Sequence, residues 1–369
     1  MVTQSHNTWT AAGHSVPESM ELDAETRALA ELVKLPPGFA EIADDPTLGP
    51  AVFTGMARVE KMLRDAIANS DPFVDQTSRH LVEAGGKRVR PLLVLLSSLL
   101  SGNEEISDDV VKAAAMVELT HLATLYHDDV MDSAPLRRGA PTAHEVWGNS
   151  VAILTGDLIF ARASILAASL GPEAVDLQAR TFERLCLGQL HESVGPRPEE
   201  DALTHHLSVI SDKTASLLAA AGEFGSRFGG SGDAQMNLLS EYGEKVGVAF
   251  QLADDVIDLT GAKVKSGKTP GTDLRERVPT LPVLILRRMS AEGDATATEV
   301  LTLVDGDLTS DEQLAAAVQA VATHPATNEA WAVARQWADE AREALSPLPN
   351  GPVKNALLDF ADAVVSRDQ

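Results

Sequence analysis

Five stretches of this chain, residues 110–132, 151–170, 177–191, 214–228 and 235–259, repeat apolar residues at three- and four-residue spacing. That spacing gathers the apolar side chains on one face of a 3.6-residue helix, so runs of this length predict long amphipathic helices. Strand-like alternation bounded by hairpin turns is missing, and β-branched residues do not cluster. Gly/Pro/Asp-rich breaks fall at residues 132–141, 195–198, 229–233, 261–273 and 346–352. No internal repeat or shift of composition divides the segments, and the pattern predicts an all-α chain with one large helical bundle over residues 51–369. Residues 1–50 are acidic, with Pro36 and Pro37 breaking any helix, and read as a poorly ordered extension.

Composition narrows what such a bundle binds. Thirty basic residues stand against 54 acidic ones, a net charge of −24, which opposes the general phosphate attraction behind most nucleic-acid binding. Nucleic acid is therefore not an expected partner. A single cysteine, Cys186, rules out an intrachain disulfide and reads as a small apolar side chain. The first fifty residues lack the positive start and apolar stretch of a secretory signal. The apolar run at residues 91–100 is well short of the roughly 20 needed to span a bilayer. A cytoplasmic location follows as the expectation, with membrane contact at most peripheral.

Two strings of the form DDxxD stand out, Asp128-Asp129-Val130-Met131-Asp132 and Asp254-Asp255-Val256-Ile257-Asp258. On a helix, positions i and i+4 stack the first and last carboxylates on one face. Such a stack repels itself unless cations neutralise it, and carboxylate oxygens shared with substrate phosphates are what Mg²⁺ prefers. One DDxxD in an acidic chain is usually a solvated face, but two of them, each ending an apolar helix, are harder to dismiss. His121, seven residues before Asp128, lies on the same stripe. Gln251, Asp254, Asp255 and Asp258 follow the i, i+3, i+4, i+7 pattern of a single face.

The scarce cations are grouped as well. They occur in Gly85-Gly86-Lys87-Arg88-Val89-Arg90-Pro91, in Arg137-Arg138-Gly139, in Lys213-Thr214 and in Gly267-Lys268. Glycine allows close backbone approach to a phosphate, and arginine offers a forked donor to two oxygens at once. Each group alone reads as solvated surface charge; their joint occurrence with two metal-type motifs favours a diphosphate site.

In this order, GGKxxRP, HDDxxD followed by RRG, KT and FQxxDDxxD resemble the trans-prenyl diphosphate synthases, a likeness covering about residues 55–290. The resemblance implies a class I isoprenoid synthase fold, a helical subunit, usually dimeric, around a central cavity with one aspartate motif on each wall. It implies condensation of isopentenyl diphosphate with an allylic diphosphate. Lys87, Arg90, His121 and Arg138 would hold isopentenyl diphosphate. Asp128, Asp132 and Asp254 would coordinate three Mg²⁺ ions, which Mn²⁺ could replace, with Asp129, Asp255 and Asp258 in support. Arg137, Lys213, Thr214, Gln251 and Lys268 would contact the allylic diphosphate, and residues 261–273, with Lys263, Lys265 and Lys268, would close over it. Asp128, Asp132, Asp254, Lys213 and Lys268 would carry the catalysis.

Short-chain members of this family carry bulky aromatics just before the first motif. Here Thr120, Ala123 and Thr124 occupy those positions, which implies an open tunnel and a product of about eight or nine isoprene units, suited to a quinone side chain such as that of menaquinone. The alternatives are a farnesyl or geranylgeranyl synthase, a class I terpene cyclase, a non-catalytic subunit of a heteromeric synthase and a Ca²⁺-binding helical module. The cyclase reading draws on the NxxSxxxE string of Asn237, Ser240 and Glu244, but a cyclase has no second substrate for Lys87 and Arg90. Non-catalytic subunits usually lose aspartates that are intact here, and no Gly-containing Ca²⁺ loop is evident.

Overall fold

The computed structural model describes residues 33, 35–36, 38–103, 105–260 and 270–366. A short 3₁₀ turn, Ala40–Asp44, leads into α1 (Leu48–Ile67), α2 (Pro72–Glu83), α3 (Val89–Leu99) and α4 (Asp108–Met131). A two-residue hairpin, β1 (Leu136–Arg137) against β2 (Ala140–Pro141), is the only sheet among the described residues. It is followed by α5 (Ala143–Trp147), α6 (Asn149–Leu170), α7 (Pro172–Val194) and α8 (Ala202–Ile210). A π turn, Ser211–Ala215, joins α8 to α9 (Ser216–Phe228), and α10 (Asp233–Thr260) is the longest helix. The remaining elements are α11 (Thr272–Arg275), α12 (Leu281–Ala291), α13 (Ala295–Val304), α14 (Asp311–Thr323), α15 (Pro325–Ala344) and α16 (Pro352–Val365). The chain is all-α, as its periodicity requires.

Helix starts follow local chemistry. Asp71 accepts from Phe73 N and Val74 N ahead of Pro72, Ser107 accepts from Val110 N, and Asp201 accepts from Thr204 N. Each such cap satisfies donors that the helix itself cannot, a contribution of about 1 kcal/mol. The sequence pattern places the start of α7 five residues late; the helix opens at Pro172. It also merges Thr214 into α9, whereas Lys213 and Thr214 both occupy the π turn.

The large cluster of buried side chains is built on α1, α3, α4, α6, α9, α16 and one face of α10 along its length. The smaller one packs α12 to α15 onto the second half of α10. Helix α10 therefore belongs to both, and α4 against α6 and α10 against α9 are the most extensive helix pairs. Leu92, Leu93, Leu95 and Leu122 are wholly buried, each contributing about 1.5–3 kcal/mol. The packed body begins earlier than residue 51. Phe39 is fully buried and stacks on Phe360 at 4.5 Å, and Ile42 is buried too. The proline pair and the surrounding acidic residues conceal these two anchors in the sequence.

Candidate active site

Both aspartate motifs lie at helix C-termini. Asp132 is the C-cap of α4, and neither α4 nor α10 has a basic residue in its last turn. The helix dipole makes that end negative, so each added carboxylate there is disfavoured by about 0.3–1 kcal/mol unless a cation offsets it. Two violations of the same rule, one on each of two long helices, leave negative charge that a cation would offset.

On α4 the carboxylates divide. Asp129 is fully buried and accepts from Arg137 Nε at 2.6 Å, while its Oδ2 is buried without a partner. Asp128 and Asp132 face the other way. Burial pushes Asp128 up to about 6; Lys213 opposes the shift, and Asp132 and Glu192 add to it. Asp132 is raised as well, by loss of water at the mouth, with Lys213 again opposing. Lys213 pairs with Glu192 of α7. Its π turn is seated there because a Cβ on Gly188 of α7 would meet Lys213 N at 2.6 Å. Glu192 was not anticipated from the sequence; it lies one residue beyond the periodic stretch, and only its i+4 spacing from Gly188 hints at it. Placing Lys213 in a π turn fits the tendency of such turns to occur at functional sites.

On α10 only Asp254 is left partly exposed. Asp255 is 4% exposed and accepts from Leu281 N at 3.1 Å, His206 Nε2 at 3.0 Å and Gln251 Nε2 at 3.3 Å. Asp258 is 1% exposed and accepts from Asp273 N at 3.1 Å. Both are tied into the protein, a supporting placement rather than one open to a ligand. Thr214 Oγ1 donates to Gln251 Oε1 at 3.4 Å, which links the π turn to this wall. Lys263, Lys265 and Lys268, and most of the expected flap over residues 261–273, lie outside the described residues.

The arginines form a second centre. Arg88, in a left-handed conformation at φ 49°, is spoken for by Glu60 at 2.5 Å and Glu118 at 2.9 Å. Although burial works against its charge, those two carboxylates raise it above the ordinary value. Arg90 has a buried Nε without a partner, and burial lowers its pKa against the pull of Glu118. Burial likewise pushes Arg138 down, with Arg88, Arg137 and Arg90 adding to the effect against Glu118. His121 is held well below its usual range by burial, then by Arg90, Arg138, Arg137 and Arg88; it is neutral at pH 7. Arg138 donates through Nη1 to Leu81 O at 3.1 Å and to Gly85 O. Its guanidinium lies 3.0 Å from where a Gly86 Cβ would be, so any larger residue would push it aside. Lys87 lies over the Phe250 ring at 5.9 Å, next to Gln251. Crowded cations that depress one another are a place for an anion.

The chain-length positions differ from one another in burial. Thr120 and Ala123 are buried, 2% and 1% exposed, in the main core. The approach of α6 is close enough that a Gly156 Cβ would sit 3.1 Å from Ala123 O. Their small side chains leave room for this close approach of the helices. Thr124, half-buried, is the one of the three on the stripe of His121, Asp128 and Asp132. Tyr126 points away from that stripe, its hydroxyl donating to Thr77 O at 2.6 Å. The NxxSxxxE residues are surface groups. Asn237, Ser240 and Glu244 line a shallow cleft of about 370 Å³ with Lys245 and Trp337, and Glu244 is held by Arg184 at 2.7 Å.

Among the described residues no three His, Cys, Asp or Glu side chains converge as a ready metal cage. The donor set still fits a hard divalent cation. Asp128, Asp132 and Asp254 supply oxygens in an uncompensated negative field, and phosphate oxygens would complete the shell.

The family described as polyprenyl synthetase matches residues 71–321. A nonaprenyl diphosphate synthase of Mycobacterium tuberculosis is 43% identical over 323 residues, 88% of this chain and 95% of that protein. A geranylgeranyl pyrophosphate synthase of Corynebacterium glutamicum, crystallised with calcium and isoprenyl diphosphate, superposes with a TM-score of 0.78 at 39% identity, covering 88% of this chain and 98% of its own. A decaprenyl diphosphate synthase of Rhodobacter capsulatus also reaches 0.78, at 33% identity over 89% and 99% of the two chains.

Proposed function

We propose that this chain, which belongs to the polyprenyl synthetase family, is a trans-prenyltransferase that joins isopentenyl diphosphate to an allylic diphosphate and repeats the step to a long all-trans product. The observation that carries the two-substrate reading is the pair of separate charge centres. One is the carboxylate mouth with Lys213; the other is the Arg90, His121 and Arg138 cluster with an unsatisfied Arg90 Nε. A cyclase acting on one diphosphate has no use for the second.

Asp128, Asp132 and Asp254 would hold Mg²⁺, three ions in all, and the metal would offset charge on the departing diphosphate. Lys213, Thr214 and Gln251 orient the allylic diphosphate against that mouth. Arg90, Arg138 and neutral His121, which keeps one N–H to donate, hold isopentenyl diphosphate so that its double bond faces the allylic carbon. The allylic C–O bond breaks, the new C–C bond forms, and the released diphosphate takes the proton lost from the isopentenyl unit. No side-chain base is required.

A product of about eight or nine units, serving as a quinone side chain such as that of menaquinone, is favoured by the 43% identity to a nonaprenyl synthase and by Thr124 in place of an aromatic. A second copy of this chain would cover the apolar side of α6 and α7. Leu154, Ile165, Leu190 and Val194 are 65%, 59%, 59% and 83% exposed there, too much apolar surface to leave in water. Helix α6 is long and apolar enough to cross a membrane by length and composition, with mean hydropathy 1.7. Asp157 and Arg162 within it, together with its packing on α4, favour a cytoplasmic dimer whose membrane contact is peripheral. Purified protein given labelled isopentenyl diphosphate, Mg²⁺ and each allylic primer should form products of 40–45 carbons (about eight or nine five-carbon units, set by the space a close-packed cavity leaves). No prenyl transfer under any primer would overturn the reading.

A further inference from the structure

His206 stands outside every motif, yet it reaches the second aspartate motif directly. It sits on α8, five residues before the π turn begins, and its Nε2 lies 3.0 Å from Asp255 Oδ2. An ionised carboxylate can only accept, so Nε2 is the protonated nitrogen in this contact. The imidazole is mostly enclosed, with 13% of its side chain exposed against 5% for Asp255. A hydrogen bond so shielded is stronger and more directional than one in water.

The contact closes a ring. Asp255 also accepts from Gln251 Nε2, and Gln251 Oε1 accepts from Thr214 Oγ1. Thr214 and Lys213 belong to the π turn that continues from α8. The chain thus leaves α10 through Gln251, enters the π turn at Thr214, runs back along α8 and returns to α10 through His206. On its other side α8 is pinned by His205, whose ring contacts His191 O at 3.2 Å and Glu200 at 3.3 Å. The π turn itself is anchored farther along α10, by Arg184 to Asp212 and Ser211 and by Ser211 to Glu244; His206 is the contact that ties α8 to the second aspartate motif.

We infer that His206 is a positioning residue for the allylic diphosphate subsite, acting through Asp255 to fix Gln251, Asp254 and the Lys213–Thr214 turn in register. The inference rests on the prenyltransferase reading above. It is specific to one substrate, because the Arg90, His121 and Arg138 cluster lies on α3, α4 and the hairpin and shares no hydrogen bond with this ring.

The test is steady-state kinetics of the full chain with farnesyl diphosphate as primer, varying each substrate in turn. His206→Phe should raise KM for the primer about tenfold and lower kcat about tenfold, the usual scale for losing an outer partner of a ligand-holding carboxylate. KM for isopentenyl diphosphate should stay within about twofold. His206→Gln, which keeps an N–H at similar reach, should recover most of the loss. His206→Ala runs beside the Phe variant so that a misfit of the larger ring does not decide the matter, and circular dichroism confirms the helix content of each. Equal weakening toward both substrates, unchanged kinetics in folded Phe and Ala variants, or a Gln variant no better than Phe would each overturn the inference. An active wild type with indifferent variants overturns this inference alone; an inactive wild type overturns the functional reading as well.

Discussion

The ends of α4 and α10 carry the same five-residue pattern and use it differently. On α4 the middle carboxylate, Asp129, is buried against Arg137, and Asp128 and Asp132 remain at the mouth. On α10 both later carboxylates are buried, Asp255 on Leu281 N and His206 and Asp258 on Asp273 N, and only Asp254 stays partly exposed. The pattern supplies three charges; the neighbours decide how many remain for a ligand. A backbone N–H or an arginine that reaches a carboxylate removes it from the ligand set and makes it part of the framework, because a buried carboxylate without such partners would not stay ionised.

The sharpest way to break that comparison is to remove one carboxylate of each kind. Asp128→Ala and Asp254→Ala should each lower kcat by about 10²–10³, the scale of losing a group that stabilises developing charge, with circular dichroism unchanged. Asp258→Ala should do the opposite. It takes this acceptor from the half-buried Asp273 N–H, a loss of about 1 kcal/mol, visible as a lower Tm. Near-normal turnover in Asp254→Ala with Mg²⁺ present would show that the second motif is framework throughout.

A smaller effect sharpens the first motif. Asp128 sits at about 6, raised by burial and by Asp132 and Glu192 against Lys213, and only its ionised form can bind a metal. The Mg²⁺ concentration for half-maximal activity should therefore rise about fivefold as the pH falls from 6 to 5. Stability has the other sign: a carboxylate raised in the folded state binds its proton more readily there than when unfolded. In metal-free protein this one group loses stability as pH rises from 4 through 6, and adding Mg²⁺ should reverse that trend. In Asp128→Asn a Mg²⁺ requirement that still climbed below pH 6 would assign the titration to another group.

Much of this was legible from residue order. Long 3.6-residue periodicity fixes the helices, and two DDxxD strings with clustered arginines mark the site, because these features depend on spacing along one chain. What spacing could not reveal is which partner reaches across. Glu192 meets Lys213, and His206 meets Asp255, through contacts between helices far apart in sequence. Burial of Ala123 depends in the same way on how close α6 comes, and Phe39 stacks only because Phe360 of α16 is there to receive it.

The finest distinction lies within a single turn of α4. If Thr124 alone faces the path of the growing tail, Thr124→Phe should shorten the product while the first condensation keeps its rate within about threefold, since a ring there fills space below the reacting carbons without touching a charged group. Ala123→Phe should behave differently. Its Cβ is buried where α4 and α6 meet, so a ring forces the helices apart, and overpacking of this kind costs about 1–3 kcal/mol. That variant should melt earlier and lose overall rate, with little change in the ratio of long to short products. Thin-layer separation of the labelled products beside a melting curve reads both outcomes on the same samples. Shortening by Ala123→Phe with an unchanged Tm would mean that the tail runs between α4 and α6 after all, and that the two helices open there to admit it.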